Sequence, residues 1–179
     1  MAKSNARDSI LHAALQEFSE QGYDRATVDS IAQRSHVAKG SVYYHFASKE
    51  AIWVALVQSR AGRLEALTKE VLAHEGASLS DLLRQWIDFF WEEQEFLSLF
   101  LSEAWRDRSR EQLVGQFLNR LLEPVATYLD PHSPKANQEW LAYALFGAIA
   151  VPTLHALKSG HADKESLYAI IPVILGRFT

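Results

Sequence analysis

The chain of 179 residues contains no cysteine. That excludes a disulfide framework and thiolate metal sites, and it suits a reducing compartment. Proline is missing from the first 123 residues; all five prolines lie at or after position 124. Sustained period-two alternation of apolar and polar residues is also missing, so nothing reads as a strand and the chain reads as all-α. The N-terminus, MAKSNARDSI, lacks the apolar run of a signal peptide, and a cytoplasmic protein is expected. There is no HExxH, no paired Glu-x-x-His and no Gly-rich phosphate loop. An enzyme is therefore not expected, and neither a metal nor a cofactor. A strong charge of one sign is missing as well. The net charge of −4 divides unevenly, with net +1 and three histidines in residues 1–60 and net −5 in residues 61–179. That asymmetry permits nucleic acid as a partner of the first third only.

What is present is helical periodicity. Ile10, Leu11, Ala14, Leu15 and Phe18 form one stripe of a first helix over about residues 5–21, closed by Gly22. Thr27 is placed to cap a second helix ending near Ser35. A short third helix spans about Lys39 to Phe46. Ser48 caps a fourth, predicted to run to Gly76. Further helices are expected from Ser78 or Ser80, over 94–106, over 109–129 with a kink at Pro124, over 136–158, and from Asp163 to near Phe178. DPHSP at 130–134 reads as a loop. Residues 141–157 carry no formal charge. The run is short for a membrane span and holds Tyr143, Pro152, Thr153 and His155, so a buried helix is the preferred reading.

The stretch HVAKGSVYYHFASKE, residues 36–50, sets three aromatics and a histidine side by side between two lysines. Two short helices joined by a tight turn at about Ser35 to Ala38 make a helix-turn-helix unit. Val42 and Phe46 supply its inward face. That leaves Lys39, Gly40, Ser41, Tyr43, Tyr44 and His45 outward or flanking, with Lys49 just beyond. Ammonium groups suit phosphates or a guanine edge, and hydroxyls of serine and tyrosine reach phosphate oxygens. Tyr43 either packs against the domain or faces DNA; Thr27 caps its helix, touches phosphate, or does both. On composition alone, an ordinary helical corner with an aromatic cluster is an equal reading.

Residues 27–52, TVDSIAQRSHVAKGSVYYHFASKEAI, resemble the helix-turn-helix of the tetracycline-repressor-like (TetR) transcription regulators. The similarity in motif covers about residues 8–56 and includes the preceding EFSEQGYDRAT. It implies an all-α protein with a helix-turn-helix DNA-binding domain at about 1–47. A larger helical ligand-binding and dimerisation domain would follow at 48–179. It also implies a homodimer on a double-stranded, pseudo-palindromic operator, released when a small-molecule effector binds. Two positions depart from the pattern: His36 stands where glycine is common, and Ala38 stands where a capping serine is common. A ligand-independent DNA-binding regulator and a helical partner-binding adaptor are the rival readings.

Seven of the twenty aromatics fall in residues 86–105. Trp86, Phe89, Phe90 and Phe100, joined by Phe117, Trp140 and Tyr143, either fill a core, the preferred reading for most of them, or line a ligand pocket. Glu103 faces either a cationic ligand or a structural arginine such as Arg106 or Arg120, and the structural role is preferred. Glu92, Glu93 and Glu95 read as a solvated junction. Candidate dimer residues are Ala144, Ala148, Val151 and His155 on one helix, with Leu167, Ile170, Ile171 and Ile174 on the last.

Overall fold

A computed structural model of the chain describes residues 6–129, 134–160 and 163–176, and all its regular elements there are helices. They are α1 (Ala6–Gln21), α2 (Val28–Arg34), α3 (Lys39–His45), α4 (Lys49–Ala73), α5 (Leu79–Glu92), α6 (Gln94–Glu103), α7 (Arg108–Leu129), α8 (Lys135–Ser159) and α9 (Lys164–Leu175). Two ends fall short of expectation: α4 stops at Ala73 and α6 at Glu103. The expected end of the last helix near Phe178 lies outside the described residues. Gly76, at φ +83, turns the chain after α4. Helix α7 runs unbroken through Pro124. Of the expected loop at 130–134, residues 130–133 lie outside the described residues.

The caps act as the sequence suggests. The Thr27 hydroxyl accepts the Ser30 amide at 3.0 Å, and the Ser30 hydroxyl accepts the Thr27 amide at 3.1 Å. This reciprocal pair satisfies two of the free N–H groups at the start of α2. Ser48, Ser78 and Asp163 cap α4, α5 and α9 through side-chain oxygens. Ala38 has no oxygen to offer, and α3 begins without a side-chain cap. The turn before it explains the other unusual residue. His36 sits at φ +56, the left-handed region that glycine occupies without cost. The turn is closed by the His36 amide on the Gln33 carbonyl and the Val37 amide on the Ala32 carbonyl, each at 3.2 Å.

Helix α1 packs on α2, α3 and α4, and α2 packs on α3. Ile10, Ile31, Val42, Ile52 and Leu56 are completely buried there. Arg34 ties α2 back to α1 through Glu17 and Glu20. The remaining helices form one body, in which α7 lies on α4 and α8, and α5 lies on α4, α8 and α9. Its centre is aromatic. Trp86 and Phe90 meet Phe146 edge-on, with centroids 5.5 and 5.7 Å apart, and Phe100 meets Phe117 at 5.6 Å. The Trp86 indole donates to Thr68 Oγ1 at 2.9 Å, which satisfies its one polar atom.

These contacts correct several expectations. Trp86, Phe89, Phe90, Phe100 and Phe117 are buried against one another and form closed core, not a cavity wall. Glu93 is buried and accepts from both Arg60 and Arg63 at 2.7 Å, so it is a structural tie between α4 and α5, not a solvated carboxylate. Leu167 and Ile171 point into their own chain toward α5 and are unavailable to a second copy. The outer side of α9 is instead Ala169, Pro172 and Val173. On α8, Ala144, Val151 and His155 are exposed, while Ala148, like Ile170 and Ile174 on α9, is half-buried. Residues 137–159 of α8 are long and apolar enough to cross a membrane by length and composition, but the helix packs on α5, α6, α7 and α9.

Two outcomes follow. A non-glycine residue in the left-handed region costs about 1–2 kcal/mol, part of which glycine gives back through its freer unfolded chain. His36→Gly should therefore stabilise the protein by about 0.5–1 kcal/mol, read as a higher urea midpoint at unchanged slope. On the far side, Asp88 of α5 accepts from Lys164 at 2.7 Å and from the Tyr168 hydroxyl, both on α9. Burial alone would raise the Asp88 carboxyl, but these two partners outweigh it and hold it below the ordinary 3.8. Its contribution is full above that value and lost as the pH falls through the lower folded one. Asp88→Asn should lower the urea midpoint at pH 7, and the gap from the parent chain should close as the pH drops from about 5 to 3.

Candidate nucleic-acid interface

Helix α3 is seven residues long and divides by direction. Val42 is completely buried and Phe46, its C-cap, nearly so. On the other side, Tyr44 is 86% exposed and Tyr43 49%. Lys39 and Gly40 are exposed, and Ser41 and His45 are half-buried. The rings of Tyr44 and His45 meet edge-on at 5.1 Å, which limits how Tyr44 can swing. Thr27 is exposed while its hydroxyl caps α2. The result is a small convex surface that offers two phenol hydroxyls, one aliphatic hydroxyl, an imidazole and an ammonium. Gly40 adds no side chain, and its missing Cβ would meet nothing within 4 Å.

Lys39 does not stand alone. Its ammonium pairs with both oxygens of Asp29 on α2, at 2.7 and 3.0 Å. The hydrogen bond to Asp29 holds it above the ordinary lysine range. Both groups are exposed, so a phosphate can compete for the ammonium at low cost.

Lys49 is different, and its expected role as a clamp on phosphate is corrected. Its ammonium donates to the carbonyls of Tyr23 at 2.7 Å, Ala26 at 2.9 Å and Asp24 at 3.2 Å. It also lies 4.4 Å from the centroid of the Tyr23 ring. An ammonium has three donors, and all three are used, so Lys49 anchors the turn between α1 and α2. Sequence reasoning also passed over Arg25, which is exposed in that same turn two residues before Thr27. The signal was available: a cation beside the α2 cap.

Elsewhere, Glu103 is buried and ion-paired to Arg106 and Arg110, the structural role preferred from sequence. Two of the expected pocket residues do line a groove, though not the one formed by the aromatic core. Trp140, 73% exposed, and half-buried Tyr143 face an open groove of about 820 Å³ between α7 and α8. Trp105, Arg108, Gln112 and Asn119 also line it, with the carboxylates of Glu111 and Glu139. The Tyr143 hydroxyl donates to Asn119 Oδ1 at 2.9 Å. Burial, then the charge of Glu139, pushes the phenol above its ordinary value. No group of His, Asp and Glu residues able to hold a metal occurs among the described residues.

Residues 10–56 match the family model described as bacterial regulatory proteins, tetR family. The A-factor receptor protein of Streptomyces griseus is 39% identical over 75 residues, which cover 42% of this chain and a quarter (25%) of that protein. The HTH-type transcriptional regulator YdgC of Bacillus subtilis is 27% identical across 95% of this chain and 90% of its own length. A transcriptional regulator (TerR/AcrR family) from Aquifex aeolicus VF5 has the same fold. It superposes at a TM-score of 0.84 with 19% identity, over 98% of this chain and all (100%) of that one. Two of these three carry the name transcriptional regulator and one is named a receptor. The matched segment, residues 10–56, holds the capped α2, the tight left-handed turn and the outward-facing α3, and over that segment the chain is similar to the tetR family of bacterial regulatory proteins.

Proposed function

We propose that the chain is a cytoplasmic repressor that binds operator DNA through α3 as a homodimer and releases it when a small molecule occupies the C-terminal helices. One observation carries the DNA reading. Tyr43 and Tyr44 lie largely in solvent on a helix whose opposite side is fully packed. Two adjacent exposed rings with free hydroxyls form a surface made to be covered, with the rings against sugar and the hydroxyls on phosphate. Ser41, Lys39, Thr27, Gly40 and His45 extend that surface. The added cation is Arg25, and Lys49 is withdrawn from it. The acidic balance of residues 61–179 turns the rest of the chain away from a polyanion.

The effector side of the proposal rests on the groove between α7 and α8, since the aromatic core is closed. The dimer side rests on an apolar surface that the chain leaves uncovered. Trp140, Ala144, Val151 and His155 recur along α8, with Val173 exposed on α9. Two-fold pairing would have to set the two α3 helices about 34–36 Å apart to reach successive major grooves.

The DNA reading is tested by salt dependence on the tightest duplex selected from a random pool. Lys39→Gln removes one phosphate contact per half-site and should lower the slope of log K against log salt by about 0.9 for each. Lys49→Met should leave that slope unchanged and lower the urea midpoint instead. Equal slopes for Lys39→Gln and the parent chain would count against the assigned face. For the dimer, Val151→Glu with Val173→Glu puts two charges on the uncovered surface. Sedimentation should then report monomers, whereas an unaltered dimer would place the interface elsewhere.

A further inference from the structure

The two ends of the DNA-binding unit converge on one side chain of the C-terminal body. Arg110, in the first turn of α7, is 3% exposed. Its guanidinium donates to Glu103 on α6 and, at 3.0 Å, to Glu50 Oε2 in the first turn of α4, just past α3. The same Glu50 oxygen accepts the Tyr23 hydroxyl at 2.5 Å. The guanidinium carbon lies 4.0 Å from the centroid of the Tyr23 ring and 4.8 Å from that of Trp53. Four residues earlier, in the link between α6 and α7, Arg106 donates to Glu103 at 3.1 Å and to Asp24. Tyr23 and Asp24 belong to the turn that leads into the Thr27 cap. Lys49 holds the same turn from its other side, through three carbonyls.

This arrangement is costly as mere stability. A buried ion pair roughly breaks even against an apolar packing of the same volume, while removing one partner leaves a stranded charge. What a guanidinium does better than apolar packing is fix direction, because its donors form a planar fork. Here the fork is shared between α6 and α4, and its face lies on the aromatic ring that starts the α1–α2 turn. The residues flanking Arg106 and Arg110 are Trp105, Arg108 and Gln112, and these line the groove between α7 and α8.

We infer that Arg110 is a positioning residue for DNA binding: it sets the angle of the α2–α3 unit against the helical body, and couples that angle to the α7–α8 groove. This rests on the DNA reading above. A ligand that shifts the first turn of α7 moves Arg110 and Arg106 together, and so moves both ends of the unit that carries α3. Coupling is reciprocal, so the inference is testable from the DNA side without knowing the effector.

The experiment is amide hydrogen exchange on the full chain, with and without the tightest duplex recovered from a random pool. In the parent chain the duplex should slow exchange in α3 and, far from DNA, slow it by about fivefold or more over residues 104–112. In Arg110→Met the duplex should still protect α3, while the effect over 104–112 disappears. Because that variant strands two carboxylates, Asp24→Asn is the second test. It takes the charge out of the exposed link to Arg106 alone, and should at least halve the remote effect. The comparison is made within each variant, with and without DNA, so a uniform loss of stability does not imitate it. A parent chain that protects α3 but not 104–112 overturns the inference. So does a remote effect that survives undiminished in Asp24→Asn. A parent chain that protects neither segment overturns the DNA reading as well.

Discussion

A seven-residue helix cannot hold itself together in water, because isolated helices shorter than about 12–15 residues are marginal. Helix α3 is in a weaker position than most: its cap is an alanine and its entry turn carries a histidine at φ +56. All of its order is borrowed. Val42 and Phe46 bury one side, with α3 packed on α1 and α2, and Arg7 lies 5.5 Å over the Phe46 ring. That dependence leaves the other side free of structural duty. The outward residues can therefore be chosen for what they touch, and α3 points wherever the helices behind it point.

The same constraint governs the cations. Near the junction of the DNA-binding unit and the body, Arg34, Lys49, Arg106 and Arg110 are each spent inside the fold, on carboxylates, carbonyls or the Tyr23 ring. A buried guanidinium without partners costs several kcal/mol, so each buried or half-buried cation is matched locally. Burial by itself would lower the affinity of Arg110 for its proton, but Glu50 and Glu103 outweigh that and the net shift is upward. The outer face is left with few positive charges: Lys39, shared with Asp29, and Arg25. Residues 1–60 as a whole reach only net +1. Recognition has to lean on hydroxyls, rings and backbone amides, which carry directional contacts but little long-range attraction.

The helix-turn-helix was legible in the sequence because its determinants are local. Thr27 and Ser30 cap within one turn, and Val42 and Phe46 repeat at i and i+4. What could not be read depends on partners distant in sequence. Lys49 binds carbonyls 23 to 26 residues earlier, and Arg110 reaches Glu50 across 60 residues. Nothing in their immediate neighbours distinguishes these cations from ones that face solvent. The aromatic cluster stayed open between core and pocket for a related reason. Composition says that Trp86, Phe90, Phe100 and Phe117 are bulky and apolar, but whether such rings close on one another or leave space is decided by tenths of an ångström in packing. The stripe on α9 was misassigned because that helix is apolar on both sides. Periodicity located Leu167 and Ile171 correctly on one face, and could not tell which face the chain would cover.

That two-sidedness also explains the uncharged run in α8. Its inner face, Ala142, Leu145, Ile149, Thr153 and Ala156, is buried by α5, α6, α7 and α9. The outer face carries Ala144, Val151 and His155 where an ordinary surface helix would place lysine or glutamate. A helix apolar all round is stable only when it is surrounded, and one chain surrounds α8 on one side. The small side chains of Ala144, Gly147 and Ala148 let another helix approach closely, while Val151, 64% exposed, and Val173, 66% exposed, add apolar bulk at the margins. On the dimer reading, a two-fold axis near Ala148 would bring the α8 stripe onto its own copy. It would also carry the body's angle into the separation of the two α3 helices. The small-residue face of α8 and the buried fork of Arg110 would then act on one quantity, the distance between two recognition helices, from opposite ends of the same rigid body.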